Sequence, residues 1–304
     1  MEGVVLRSTG SFYDVLTASG SKFVCVVRGK IRLEGIKESN PVAVGDRVVF
    51  HIDNEIGAIT EILPRTNHIL RQSVKKTGHA QVLAANIDQA FLMVTLAFPR
   101  TSLGFIDRFL VSAESFRIPQ TLIFNKNDLL DASELEYQLA LMELYAKIGI
   151  GVISISALQE DHEKILSMLR GKTTLLAGHS GVGKSTLLNK LDPGINQKTG
   201  ELSGYSDKGT HTTTFAEMFQ IGKDTFVIDT PGIKEWGLVD MNEQELSDYF
   251  PEMRDLRLDC KFGPRCLHVN EPKCAIIPAV ENGRIAYSRY ESYLSMLSGK
   301  DNRK

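Results

Sequence analysis

The chain has 304 residues, 42% of them hydrophobic and 24% charged, and a formal net charge of −2. That is the balance of a soluble globular protein, longer than one core usually fills, so two or three domains are expected. No apolar run of about 18 residues suggests a membrane span, and the N-terminus MEGVVLRSTGSFYDV lacks the pattern of a signal peptide, so the sequence predicts a cytosolic protein with no membrane partner.

Charge is mildly uneven. Residues 1–80 hold 11 Lys/Arg against 8 Asp/Glu, whereas the rest of the chain holds 24 against 29. The excess gives weak support to an RNA-facing N-terminal region. Residues 1–64 read as short strands (GSFYDVLTA, SKFVCVVRG, DRVVFHID and GAITEIL) spaced by turn residues, the pattern of a small all-β barrel or sandwich. Phe12, Tyr13, Arg28, Lys30 and Arg32 are candidate RNA contacts there, and the lone Cys25 is expected to pack inside. Residues 65–86 read as a basic connector, with Arg71, Lys75 and Lys76 as further candidates.

From about Asp88 the pattern changes. Apolar runs at 90–96, 121–124, 152–155, 173–177 and 225–228 alternate with helical patterns at 103–117, 132–147, 159–170 and 184–191. Such alternation predicts a mostly parallel sheet covered on both faces, here over residues 87–236.

Three loops of this region carry chemistry. Asn125-Lys126-Asn127-Asp128 follows the strand TLIF. The Asp128 carboxylate can accept both the N1 and N2 hydrogens of guanine, a donor pair that adenine lacks. Asn125 would tie this loop to the purine and to a phosphate loop, and the Lys126 stem would lie along the ring. Ser156-Ala157-Leu158 ends the next strand, where a small residue lets its backbone amide approach guanine O6. Residues 178–185, GHSGVGKS, follow a strand and open a helix, the context in which G-x-x-x-x-G-K-[ST] binds phosphate. The backbone of Gly178, His179, Ser180, Gly181, Val182 and Gly183 would wrap the phosphates, with Lys184, Ser185 and Thr186 at the helix N-terminus. Lys184 would reach the β- and γ-phosphates, and Ser185 would ligate Mg²⁺.

Further on, Gly209-Thr210-His211-Thr212-Thr213-Thr214 supplies hydroxyls for a γ-phosphate sensor; spacing does not choose between Thr212 and Thr213 as the Mg²⁺ ligand. Asp229-Thr230-Pro231-Gly232 ends the strand TFVID, with Asp229 placed to hold Mg²⁺ through water and the Gly232 amide to touch the γ-phosphate. After that turn many GTPases carry a Gln that orients the attacking water; here the position is Ile233, so another group must act or the intrinsic rate must be very low, and His211, beside the switch threonines, is the candidate. Base loops precede the phosphate loop, the reverse of ordinary small GTPases. This order is a circular permutation that still leaves every loop at a strand end.

Residues 237–304 hold Cys260-x₅-Cys266-x-His268-x₅-Cys274 and a helical tail at about 285–298. In a reducing compartment three thiols and an imidazole suggest one structural Zn²⁺ per chain rather than disulfides. The segment offers little apolar core, so a metal would supply stability.

The barrel, the permuted motifs NKND, SAL, GHSGVGKS and DTPG, and the Cys₃His segment together resemble the ribosome small-subunit-dependent GTPase (RsgA/YjeQ) family over nearly the whole chain. The resemblance implies an OB-fold for the barrel and binding to the 30S subunit with its 16S rRNA. It also implies a role in late subunit maturation and GTP hydrolysis to GDP stimulated by the subunit. The family carries a similar Cys₃His site, with a first spacer one residue shorter. Its histidine in the matching G-x-H-T-T pattern positions water, a role that would fall to His211. Two other readings are an RNA-binding adaptor that holds GTP without turnover and a permuted GTPase of the large subunit. Nothing in the sequence demands a dimer, so a monomer is expected.

Overall fold

The computed structural model describes residues 1–28, 41–53, 55–72, 80–159, 162–195, 216–230 and 241–299. His211, Thr212, Thr213, Gly232, Ile233, Lys30, Arg32, Lys75 and Lys76 lie outside them.

Five strands close the N-terminal barrel: β1 (Glu2–Ser8), β2 (Tyr13–Thr17), β3 (Lys22–Val27), β4 (Arg47–Asp53) and β5 (Ile56–Ile62). Neighbours run β1-β2-β3-β5-β4, and β4 pairs back onto β1. Only the β3–β5 pair is parallel. This closed five-stranded order is that of an OB-fold, and closure leaves no free sheet edge. Val5, Val15, Val48, Phe50 and Ile59 fill the barrel with Cys25, whose thiol burial pushes up to about 11. Tyr13 is also in this core, 2% exposed, which removes it from the candidate RNA contacts; Phe12, 50% exposed, keeps its place. Arg28 is ion-paired with Asp53.

The connector is itself ordered in part. Strands β6 (His68–Gln72) and β7 (Ala80–Ala85) pair antiparallel, and Ala84 bridges to Val44. Arg65 grips the buried Asp46 with two hydrogen bonds, Nε to Oδ1 at 2.7 Å and Nη2 to Oδ2 at 2.8 Å, fastening this stretch to the barrel.

The central sheet runs β10 (Gly151–Ser154), β9 (Gln120–Phe124), β8 (Gln89–Val94), β11 (Thr173–Ala177), β13 (Thr225–Asp229) and β12 (Glu217–Gly222). All are parallel except β12, which joins β13 antiparallel and touches β1 at Arg7↔Glu217. Helices α1 (Leu103–Ser115), α2 (Ala132–Lys147), α3 (Glu163–Leu169) and α4 (Lys184–Leu191) cover the sheet. Two apolar layers lie on its two faces, one with Phe109, Leu110 and Tyr145, the other with Ile165, Leu187 and Leu188. Asp131 and Glu134 form a reciprocal capping box that fixes the start of α2 directly after the base loop.

The C-terminal unit contains the short helices α5 (Pro251–Arg254) and α6 (Ile276–Glu281), then α7 (Tyr287–Leu297). Its core of Leu246, Phe250, Met253, Ile276, Ile285 and Tyr293 includes the three clustered cysteines and reaches Val111 of α1. A buried ion network crosses the same seam. Arg289 of α7 donates to Asp107 of α1 at 2.6 Å and to Glu252 of α5 at 2.7 Å. The Tyr145 hydroxyl of α2 also donates to Asp107, at 2.8 Å, and the Arg289 guanidinium lies 4.6 Å from the centre of the Phe250 ring.

Candidate active site and metal centre

The parallel strands end on one edge, and the loops that leave that edge form the site, where ligands of open α/β sheets bind. Register aligns them. Phe124 sits beside Ser154, so the loops after β9 and β10 are neighbours. Leu176 sits beside Asp229, so the end of β13 lies next to the end of β11.

Asn125 is 2% exposed and holds three loops together. Its Nδ2 donates to the Val182 carbonyl at 2.7 Å, and its Oδ1 accepts the Ala157 amide at 2.9 Å. This proximity requires glycine opposite. A Cβ on Gly183, whose φ is +108°, would land on Asn125 Nδ2, and one on Gly178 would strike the Met93 carbonyl. Gly183 therefore serves packing against the loop after β9, and Gly178 packing against β8.

Lys126 adopts a left-handed φ of 65°, and its Nζ donates to the Phe98 carbonyl at 2.6 Å. Asp128 is exposed at the rim, and the Gln159 amide reaches it at 3.4 Å. Ser156 and Ala157 are buried against this loop. The Ala157 amide is directed to Asn125.

At the phosphate end, Gly178, Gly181 and Gly183 all have positive φ. His179 lies 3.9 Å, ring centre to ring centre, from Phe105 of α1. Lys184 Nζ donates to the carbonyls of Gly178 at 2.7 Å and His179 at 3.0 Å. Burial pulls the Lys184 ammonium below its ordinary pKa, and the Asp229 carboxylate opposes that shift. Ser185 and Thr186 open α4, while Ser180 is exposed on the loop. Asp229 is buried at the end of β13.

The second site is in the C-terminal unit. Donor atoms of Cys260, Cys266, His268 and Cys274 all lie within 4.8 Å of one another, and all four residues are buried. Cys260 and Cys274 sulfurs are 3.9 Å apart, and His268 Nδ1 lies 3.6 Å and 3.4 Å from them. A tetrahedral zinc with ordinary bond lengths needs sulfur–sulfur edges of about 3.8 Å and nitrogen–sulfur edges of about 3.6 Å, so the donors fit. The spacer between Cys260 and Cys266 contains a short 3₁₀ turn at Gly263–Arg265.

Burial pushes the Cys266 thiol up to about 12 and raises that of Cys274. Burial lowers His268 to about 4, which keeps its imidazole neutral and able to coordinate. Sequence reasoning missed the frame around these ligands. Glu271 accepts the amides of Leu267 (2.8 Å), Val269 (2.8 Å) and Asn270 (3.0 Å). Tyr290 and Tyr293 donate to the carbonyls of His268 and Leu267 at 2.6 Å and 2.8 Å.

A base loop, a small-residue loop and a phosphate loop at one sheet edge, in permuted chain order, define a phosphate-loop GTPase. The sequence model of the RsgA GTPase family matches residues 62–239, and that of the RsgA N-terminal domain matches residues 2–59. A small ribosomal subunit biogenesis GTPase RsgA from Bacteroides fragilis is 50% identical over 303 residues, covering 99% of this chain and 97% of that protein. The protein of the same name from Christiangramia forsetii is 46% identical over 306 residues, covering 99% and 97%. The crystal structure of YjeQ from Thermotoga maritima superposes with a TM-score of 0.78 at 35% identity, covering 100% of this chain and 99% of that one. The crystal structure of YloQ, described as a circularly permuted GTPase, gives 0.73 at 32%, covering 100% and 96%. The chain belongs to the RsgA GTPase family.

Proposed function

We propose that this GTPase acts on the small ribosomal subunit in the cytoplasm, as a monomer, contacting 16S rRNA and assisting late maturation of the 30S particle. The barrel with exposed Phe12 and the basic excess of residues 1–80 support RNA contact, and the relatives carry small-subunit biogenesis in their names. The observation that carries the GTP reading is Asn125, which locks the base loop to the phosphate loop 57 residues away.

In this reading Asp128 pairs with guanine N1 and N2, and the Lys126 stem covers the ring. The amides of residues 178–186 cradle the phosphates. Lys184 leaves the Gly178 and His179 carbonyls for phosphate oxygens, which restores favourable surroundings to a buried charge. Ser185, Asp229 and one of Thr212 and Thr213 hold Mg²⁺, and Gly232 contacts the γ-phosphate. Mg²⁺ would neutralise charge developing on the phosphates. His211 positions the attacking water, since Ile233 has no donor. Cys260, Cys266, His268 and Cys274 hold one structural Zn²⁺ that braces the C-terminal unit. Sedimentation of the GTP-loaded protein with isolated subunits tests the partner: it should travel with 30S and not with 50S, and co-sedimentation with 50S alone would overturn the assignment.

A further inference from the structure

Helix α2 (ASELEYQLALMELYAK) packs on β10, the outermost strand of the central sheet, where Gln138 Nε2 donates to Ser154 Oγ at 2.8 Å. Its buried line is Gln138, Leu141 and Tyr145. A second apolar line runs along the same helix through Ala132, Leu135, Leu139, Met142 and Ala146, in alternating steps of three and four residues. Leu139 is 63% exposed and Leu135 38%; Ala132 and Ala146 are exposed, and Met142 is half-buried. Single exposed leucines are ordinary on a protein surface. This spacing is not scattered: it is the a/d seam with which one helix packs along another. Because the sheet takes the neighbouring line, the helix's own core does not account for the seam.

Charge selects the occupant. The g positions beside the seam, Gln138 and Tyr145, are buried. The e positions on its open side are Glu136 and Glu143, three residues before and four after Leu139, and both are exposed. Asp128, Asp131 and Glu134 add to the acidity, against one cation, Lys147, which pairs with Glu143 at 2.8 Å. That pair is solvent-exposed, so a partner's cation can replace it at little cost. An acidic border repels a phosphate backbone, which disfavours RNA. Antiparallel pairing of two α2 seams would set glutamate against glutamate at e, which disfavours a second copy of the chain. We infer that α2 is a docking face for a basic amphipathic helix of another protein, whose apolar stripe covers Leu135 and Leu139 and whose lysines or arginines meet Glu136 and Glu143.

Synthetic two-heptad peptides probe this face on the full chain. The first has Leu at a and d and Lys at e and g, the second has Glu in place of Lys, and the third scrambles the first. Fluorescence anisotropy should show binding of the lysine peptide and much weaker binding of the other two. Leu139→Ser should weaken the lysine peptide about tenfold, the scale of one leucine withdrawn from an apolar contact, and leave GDP affinity unchanged. Glu136→Lys combined with Glu143→Lys should reverse the preference, so that the glutamate peptide binds more tightly than the lysine one. No binding of the lysine peptide, equal binding of its scrambled form, or indifference to Leu139→Ser would each overturn the inference. Light scattering that finds a dimer, lost in Leu139→Ser, would give the face to a second copy and overturn it as well.

Discussion

The Asn125 side-chain amide donates to the Val182 carbonyl at 2.7 Å, joining the end of β9 to the glycine-rich loop before α4. Neither group is exposed. Asn125→Ala leaves the Val182 carbonyl and the Ala157 amide without this partner, a loss of roughly 1–3 kcal/mol for a buried group left unsatisfied. Thermal unfolding should detect that destabilisation. Calorimetric titration should find GDP affinity lowered at least tenfold, since both ends of the site lose alignment. Unchanged affinity would separate the two loops functionally.

The proposed base reader, Asp128, is exposed. Asp128→Asn should weaken GTP binding and move preference toward xanthine nucleotides, whose C2 oxygen accepts from the new amide. Competition binding with GTP and XTP reads the shift directly. A variant that binds GTP as the parent does would contradict the assignment.

Much of this arrangement was legible in the chain. The bounds of α2 follow from its capping residues Asp131 and Glu134, and the phosphate loop from glycines flanked by an apolar strand and a helix. The phase of β2 was harder to read. Phe12 and Tyr13 are adjacent aromatics, and only the turn before them decides which one enters the barrel. Strand β12 escaped because it carries no apolar run and sits beside a long polar segment. The Arg289–Asp107 pair has no local signal at all, since its members are 182 residues apart.

That pair makes a stability prediction. Arg289 is 2% exposed and its charge is matched by Asp107 and Glu252. Arg289→Met strands two carboxylates at the seam between α1 and α7, and should cost about 3–5 kcal/mol. Denaturant titration checks the magnitude. A loss below about 1 kcal/mol would show that water or rearrangement relieves those carboxylates.

Elemental analysis should find one zinc per chain, held by the four buried donors that lie within 4.8 Å of one another. Cys266→Ala should lower the zinc content and destabilise the C-terminal unit, while GDP binding at the separate sheet edge largely survives. Native protein that is fully folded and free of metal would contradict the site.

The central claim is that GTP hydrolysis in this chain answers to the small ribosomal subunit. Single-turnover release of phosphate from GTP, measured alone and with purified 30S or 50S particles, tests it most directly. Slow release alone, strong acceleration by 30S and none by 50S is the predicted result. A rate unchanged by 30S, or raised equally by 50S, would contradict it.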